Sequence, residues 1–145
     1  MKTQQKLQLI RERLKVLRVH AFLIPNADPH GSEYVPEYWN RRKIVSGFTG
    51  SMAEVCVSLS GAAIWVDSRY FLQAERELAG SGIKMQKLGI PGTPSLIGWL
   101  SSQLPRGGKV GVDPQTVTKE RYSHLQHELA EVGLTLIPIA RNPVD

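Results

Sequence analysis

The first seventeen residues place leucine and isoleucine at the spacing of a helix. The apolar set recurs at intervals of three, four and three positions and comprises Leu7, Ile10, Leu14 and Leu17. Because this spacing brings the four side chains to one side of a helix, the segment is predicted to be an amphipathic helix that packs through its leucine face. Basic residues occupy much of the remaining helix surface.

Short apolar runs and helical segments alternate along the rest of the chain. Strands are predicted at residues 21–25, 54–59, 62–66, 83–88, 109–112 and 134–139, and helices at 70–79, 95–104 and 118–132. Ser60-Gly61 is a tight hairpin signal between the second and third strands. Ser68 is a candidate N-cap for the second helix, which Gly80 ends, and Gly133 ends the last helix. The fold class predicted is α/β, with a mixed sheet of about six strands and helices on both faces.

Length and composition agree with one soluble domain. The chain has 145 residues, of which 41% are hydrophobic and 21% charged, enough to build a single core. No apolar run reaches the roughly 20 residues that a membrane-spanning helix needs. The single cysteine, Cys56, cannot form an internal disulfide, which favours a reducing compartment and excludes a zinc site built on several thiolates.

The net charge of +5 arises entirely in the first 18 residues, which hold six basic side chains and one acidic one. An arginine-rich amphipathic start is also typical of mitochondrial transit peptides, but this helix runs directly into a strand without a cleavable linker. A second hypothesis is a stand-alone binding module whose first helix engages nucleic acid or an acidic surface. It predicts salt-dependent binding that is lost when Lys6, Arg11, Arg13 and Lys15 are neutralised.

Three aspartates follow predicted strands. Asp28, Asp67 and Asp113 come after the first, third and fifth strands, and ligand sites of open α/β sheets gather at the carboxyl ends of strands. Three convergent carboxylates could hold Mg²⁺ or Mn²⁺, as a metal hydrolase would require. The alternative, which we favour, is that each aspartate forms a turn, since two of them precede proline and Asp67 opens a helix.

Other catalytic signatures are missing from the sequence. There is no G-x-S-x-G nucleophile motif and no phosphate-binding P-loop. Cys56 lies inside an apolar strand, where a thiol is usually inert. His124 and His127 are three positions apart on a helix without a metal-ligand motif and are expected to be surface residues. Taken alone, these residues indicate a binding or scaffolding domain.

Four segments in order along the chain resemble one known family. They are residues 27–51 (ADPHGSEYVPEYWNRRKIVSGFTGS), 65–75 (WVDSRYFLQAE), 110–114 (VGVDP) and 136–145 (LIPIARNPVD). Together they resemble the N-terminal domain of Xaa-Pro aminopeptidases of the cytosolic aminopeptidase P type, in the creatinase/prolidase superfamily. The chain departs from the family pattern at Met52-Ala53, at Ser68, where the family favours glycine in a DGRYF motif, and at residues 142–145, where it favours NLVD.

The resemblance implies that residues 1–145 are a single creatinase-type N-terminal domain, without the C-terminal metal-binding catalytic domain. The parent enzyme would be a cytoplasmic, homodimeric metallopeptidase that uses two Mn²⁺ ions to remove the residue preceding proline at a peptide N-terminus. This chain alone would hold no catalytic residue, metal or cofactor and would be inactive. It would help to shape the substrate entrance and the subunit contacts, with its own catalytic domain, the peptide and a second subunit as partners. Neither nucleic acid nor membrane is implied.

Site residues are implied in two segments. Arg69 occupies the position of the arginine in the DGRYF motif and would contact substrate, since a guanidinium can hold peptide carbonyls or a carboxylate by two hydrogen bonds. The alternative is an ion pair of Arg69 with Asp67 or Glu75. A second group is expected to line the cleft or to pack between domains, with both alternatives open: His30, Tyr34, Arg41 and Arg42.

Overall fold

Six strands form one mixed sheet in the computed structural model, which describes residues 2–25, 46, 53–140 and 143–144. The strands are β1 (Ala21–Ile24), β2 (Ala53–Ser58), β3 (Ala62–Val66), β4 (Lys84–Lys87), β5 (Lys109–Val112) and β6 (Thr135–Pro138), in the spatial order β4-β3-β2-β1-β5-β6. Strand β2 is antiparallel to both of its neighbours. The other adjacent pairs are parallel, so the predicted mixed sheet is confirmed.

Helices cover both faces of the sheet, as predicted. Those that lie wholly within the described residues are α1 (Thr3–Leu17), α2 (Phe71–Glu77), α3 (Leu96–Gln103) and α4 (Lys119–Glu131). Helices α1 and α2 pack on one face around fully buried Phe22 and Ile64. Helices α3 and α4 pack on the other face around Leu23 and Val112. The apolar runs of the strands are buried because each face of the sheet has its own helical layer.

The apolar stripe of α1 is shorter than predicted. Leu7, Ile10 and Leu14 are buried, but Leu17 is 40% exposed. The helix ends at Leu17, and Arg18 takes a left-handed conformation with φ 59°. The turn leaves Leu17 at the surface and directs Val19 into the core instead.

Helices α3 and α4 begin one residue later than predicted, because the first predicted residue of each is an N-cap. Ser95 and Thr118 lie before α3 and α4, where their hydroxyl oxygens accept hydrogen bonds from backbone N–H groups of the first turn. Before α2, Ser68 is not the N-cap. Residues Ser68–Tyr70 form a 3₁₀ turn that is capped by Asp67, and α2 begins only at Phe71.

Five strand ends meet at one side of the sheet. Strands β1, β3, β4, β5 and β6 run in the same direction and β2 runs in the opposite one. Asp67 follows β3 and Asp113 follows β5 at this side, which also holds the start of β2. We call it the carboxyl edge, and ligand sites of α/β sheets form at such edges.

The predicted hairpin is present, and two of the three tryptophans, which we expect to be core or interface residues, pack against each other. The Ser58 backbone N–H donates to the Gly61 carbonyl at 2.8 Å. The Gly61 backbone N–H donates to the Ser58 hydroxyl, also at 2.8 Å. These two hydrogen bonds close the β2–β3 turn. Trp65 and Trp99 are buried in edge-to-face contact, with ring centroids 5.7 Å apart. The Trp65 indole N–H also donates to the Pro94 carbonyl at 2.9 Å, as a buried indole requires. Trp39 lies outside the described residues.

Candidate functional site

Arg69 lies at the carboxyl edge, in the 3₁₀ turn that follows β3. Its guanidinium forms an ion pair with Asp67, with Nη2 2.9 Å from Oδ2 and Nε 3.2 Å from Oδ1. The Arg69 side chain remains 60% exposed and the Asp67 side chain 33%. Of the two ion pairs considered for Arg69, the one with Asp67 is therefore present. Glu75 instead pairs with Lys87, 3.4 Å away.

Two neighbours among the described residues contribute to the electrostatic setting of Arg69. Hydrogen bonds from the Arg69 side chain lower the pKa of the Asp67 carboxyl, so Asp67 is ionised at neutral pH. The guanidinium carbon also lies 5.2 Å from the centroid of the Tyr70 ring, within the range of a cation–π contact. An exposed guanidinium held in this way can donate hydrogen bonds to carbonyl or carboxylate oxygens of a ligand.

Two of the three aspartates considered as metal ligands cap turns in the structure. Asp67 caps the turn after β3. Asp113 is 4% exposed and accepts a hydrogen bond from the Gln115 N–H at 2.9 Å, which caps the turn after β5. Asp28 lies outside the described residues. Within the described ranges, no three His, Cys, Asp or Glu side chains are grouped in a way that could hold a metal ion.

The cleft-lining candidates His30, Tyr34, Arg41 and Arg42 also lie outside the described residues. They belong to the segment that joins β1 to β2. Since β1 ends and β2 begins at the carboxyl edge, the described strands on either side of this segment meet it at the same side of the sheet as Arg69. The cleft-lining role of the four residues stays a prediction.

An ion pair at the carboxyl edge was missed by the sequence reasoning. Arg121 Nη2 lies 3.0 Å from Glu54 Oε1 and 3.2 Å from Oε2, which ties the first turn of α4 to the start of β2. The two residues are 67 positions apart. No local spacing rule connects residues at that distance, and the only available signal was that both residues were predicted near element starts.

The other candidate nucleophiles and ligands behave as predicted. Cys56 is fully buried, and burial raises the pKa of its thiol, which leaves the thiol protonated and unreactive. His124 and His127 are exposed on α4 and pair with Glu128 and Glu131, one turn further along. Those i,i+4 pairs could have been predicted from the sequence.

The basic face of α1 makes contacts within the domain. Arg11 Nε donates to the Ser58 carbonyl at 2.9 Å, and partial burial lowers the pKa of Arg11. Arg13 donates to the Pro143 carbonyl. These two arginines therefore attach α1 to the hairpin and to the end of the described chain. Across the described ranges, no helix combines the length and hydropathy needed to span a membrane.

Comparison with known proteins decides the family. Residues 6–141 match the creatinase/prolidase N-terminal domain. The chain belongs to this family. The Xaa-Pro aminopeptidase ApepP of Drosophila melanogaster is 36% identical over 127 residues, which cover 88% of this chain and 21% of the relative. Aminopeptidase P2 of Arabidopsis thaliana is 40% identical over 119 residues, which cover 82% of this chain and 17% of the relative. This creatinase/prolidase domain thus spans about a fifth of the relatives it matches.

Solved structures share the fold of this creatinase/prolidase domain. The X-prolyl aminopeptidase of Caenorhabditis elegans, described as a cytosolic enzyme with a di-nuclear active site, superimposes with a TM-score of 0.92 at 36% identity. The match covers 100% of this chain and 25% of that protein. The N-terminal domain of the cytoplasmic peptidase PepQ of Mycobacterium tuberculosis matches with a TM-score of 0.66 at 19% identity, over 97% of this chain and 96% of that domain. The α/β fold class is therefore confirmed.

Proposed function

We propose that this chain is the non-catalytic N-terminal domain of an Xaa-Pro aminopeptidase, which removes the N-terminal residue of peptides whose second residue is proline. The observation that carries the proposal is the likeness to the Caenorhabditis elegans X-prolyl aminopeptidase over the whole chain, in both sequence and structure. The Drosophila and Arabidopsis relatives, which carry aminopeptidase names, support the same activity.

The chemistry is assigned to a part of the protein outside this domain. The described residues do not fit a di-nuclear metal centre, because they contain no group of three ligand side chains. We place two Mn²⁺ ions and the hydrolytic step in a C-terminal catalytic domain. The isolated 145-residue chain would then be inactive, and the parent enzyme would be cytoplasmic and homodimeric.

Within this domain, Arg69 is assigned the contact with substrate. Its guanidinium is exposed at the carboxyl edge, where sheets of this class bind ligands, and it has the fork geometry that suits a peptide carbonyl or carboxylate. The segment with His30, Tyr34, Arg41 and Arg42 would complete the substrate entrance from the same edge. The catalytic domain and the second subunit would pack beside this N-terminal domain.

Replacing Arg69 tests this assignment in the full-length enzyme. We expect Arg69→Ala to lower kcat/KM for an X-Pro peptide about tenfold or more, the effect of losing a charge-assisted hydrogen bond. The control is Lys84→Ala, which removes a cation at an exposed position of β4 and should leave kcat/KM unchanged. An Arg69→Ala enzyme with the kcat/KM of the wild type would contradict the substrate contact.

A stand-alone module that binds nucleic acid through α1 is not favoured. Two of the four cations on which it depends, Arg11 and Arg13, bond to carbonyls of the domain itself. The family match also accounts for residues 6–141 without it.

A further inference from the structure

The Asp67 carboxylate binds both the backbone and the side chain of Arg69. Its Oδ1 accepts the Arg69 backbone N–H at 2.9 Å and Nε at 3.2 Å, and its Oδ2 accepts Nη2 at 2.9 Å. One carboxylate therefore bonds both to the turn that carries Arg69 and to its guanidinium. The Tyr70 ring, 5.2 Å from the guanidinium carbon, contacts the same group.

This arrangement restricts an otherwise flexible side chain. An exposed arginine normally samples many rotamers, and ordering it upon ligand binding reduces affinity. A side chain that is already held in the free protein loses less freedom when a ligand binds. Asp67 remains charged at neutral pH, because its hydrogen bonds with Arg69 lower its pKa, so the restraint is present under assay conditions.

We propose that Asp67 is a positioning residue, which holds the Arg69 guanidinium at the carboxyl edge in the orientation that receives the peptide. This inference rests on the proposed substrate contact of Arg69. Asp67 would act only through Arg69, without touching the substrate itself. Loss of the Asp67 charge should then weaken substrate binding more than the chemical step.

A purely structural role for Asp67 predicts different behaviour. Asp67 also caps the 3₁₀ turn through the Arg69 N–H, and loss of that cap alone would lower stability. Asparagine and serine are good N-cap residues, so both replacements keep the cap and remove the charged partner of the guanidinium. Asp67→Asn and Asp67→Ser therefore separate the positioning role from the capping role.

The test measures KM and kcat for an X-Pro peptide in the full-length enzyme. We expect Asp67→Asn and Asp67→Ser to raise KM about fivefold, with kcat changed less than twofold and with melting temperature shifted by a few degrees at most. In the Arg69→Ala background, Asp67→Asn should change KM less than twofold, because the group that it positions is gone. Glu75→Gln, which removes the nearby exposed pair with Lys87, is the control and should leave both constants unchanged.

Each outcome decides a separate claim. An unchanged KM in both Asp67 variants, together with impaired Arg69→Ala, would overturn the positioning role and leave the proposed function intact. An equal rise in KM from Asp67→Asn in both backgrounds would show that Asp67 acts independently of Arg69 and would also overturn the positioning role. Wild-type kinetics in Arg69→Ala would remove the substrate contact and the inference with it.

Discussion

The side chain of Asp113 caps the turn after β5 in the same way that Asp67 caps the turn after β3. In both places the carboxylate accepts the backbone N–H two residues on, at 2.9 Å, and opens a 3₁₀ turn at the carboxyl edge. The two side chains differ in exposure, since Asp113 is buried and Asp67 is partly exposed. That exposure places the Asp67 carboxylate near the surface, where it pairs with the exposed Arg69 guanidinium.

The two aspartate turns also show what could be predicted for single residues. Their position after strands and before turns could be predicted, because aspartate has strong turn chemistry. The choice of Asp67 over Ser68 as the cap could not, since both residue types cap equally well. It depends on where β3 stops pairing with its neighbours, which is a property of the whole sheet.

Cys56 provides a prediction at the residue scale. Its pKa is raised by burial, so the native thiol stays protonated, and the reactive thiolate forms only when the chain opens. We expect Cys56 to be unreactive toward a disulfide reagent at pH 8 in the folded chain and to react fully in denaturant. Stoichiometric labelling under native conditions, on a timescale faster than unfolding, would contradict the buried position of Cys56 in β2.

The elements follow the periodicity of the sequence closely. Strands β3 and β5 have the predicted bounds, and the ends of the other four strands differ from prediction by at most one residue. Helix α2 deviates most, because the residues before it form a 3₁₀ turn that is capped by Asp67 and not by the candidate Ser68. Local patterns predict such elements well, whereas their ends depend on competing caps and on packing.

Gly111 gives an element-scale prediction for the interior strand β5. A Cβ atom on Gly111 would lie 2.9 Å from Cγ1 of Ile139 and 3.3 Å from Cδ1 of Phe22, too close for the packed face of β5. We expect Gly111→Ala to lower the free energy of unfolding by about 1–3 kcal/mol in chemical denaturation. The control is Gly61→Ala, whose Cβ would come closest to the end of the flexible Gln103 side chain, 3.1 Å away, with its other neighbours at 3.6 Å or more. A Gly111→Ala chain no less stable than this control would contradict the packing described.

Helix α1 offers a second element-scale prediction. Arg11 donates to the Ser58 carbonyl in a partly buried position, whereas Lys15 is exposed. Arg11→Gln should therefore lower the free energy of unfolding by about 1 kcal/mol, while Lys15→Gln, which removes the same charge, should have little effect. Equal stability of the two variants, combined with equal loss of salt-dependent nucleic-acid binding, would support the binding-module hypothesis instead.

The strand order of the whole sheet could not be predicted from the sequence. Strand β1 lies between β2 and β5, so it pairs with one strand across the segment 26–52 and with another more than 80 residues along the chain. Such pairings depend on long-range contacts that no local pattern encodes. The ion pair of Glu54 with Arg121 was missed for the same reason. The family resemblance, in contrast, rested on four ordered motifs and is confirmed over residues 6–141.

The assembly of this domain with a catalytic domain is the central claim at the scale of the whole molecule. The chain covers 25% of the Caenorhabditis elegans enzyme, and under the proposal the hydrolytic centre would lie in a separate catalytic domain. The carboxyl edge with Arg69 would then face that centre and receive the peptide between the two domains.

The most direct test is a peptidase assay of the purified full-length protein loaded with Mn²⁺. Two peptides that differ only at the second position, proline in one and alanine in the other, are compared by release of the first residue. We predict release from the proline peptide, little or none from the alanine peptide, and no activity after a chelator removes the metal. Equal cleavage of the two peptides, or no cleavage of the proline peptide by the metal-loaded protein, would contradict the proposed function.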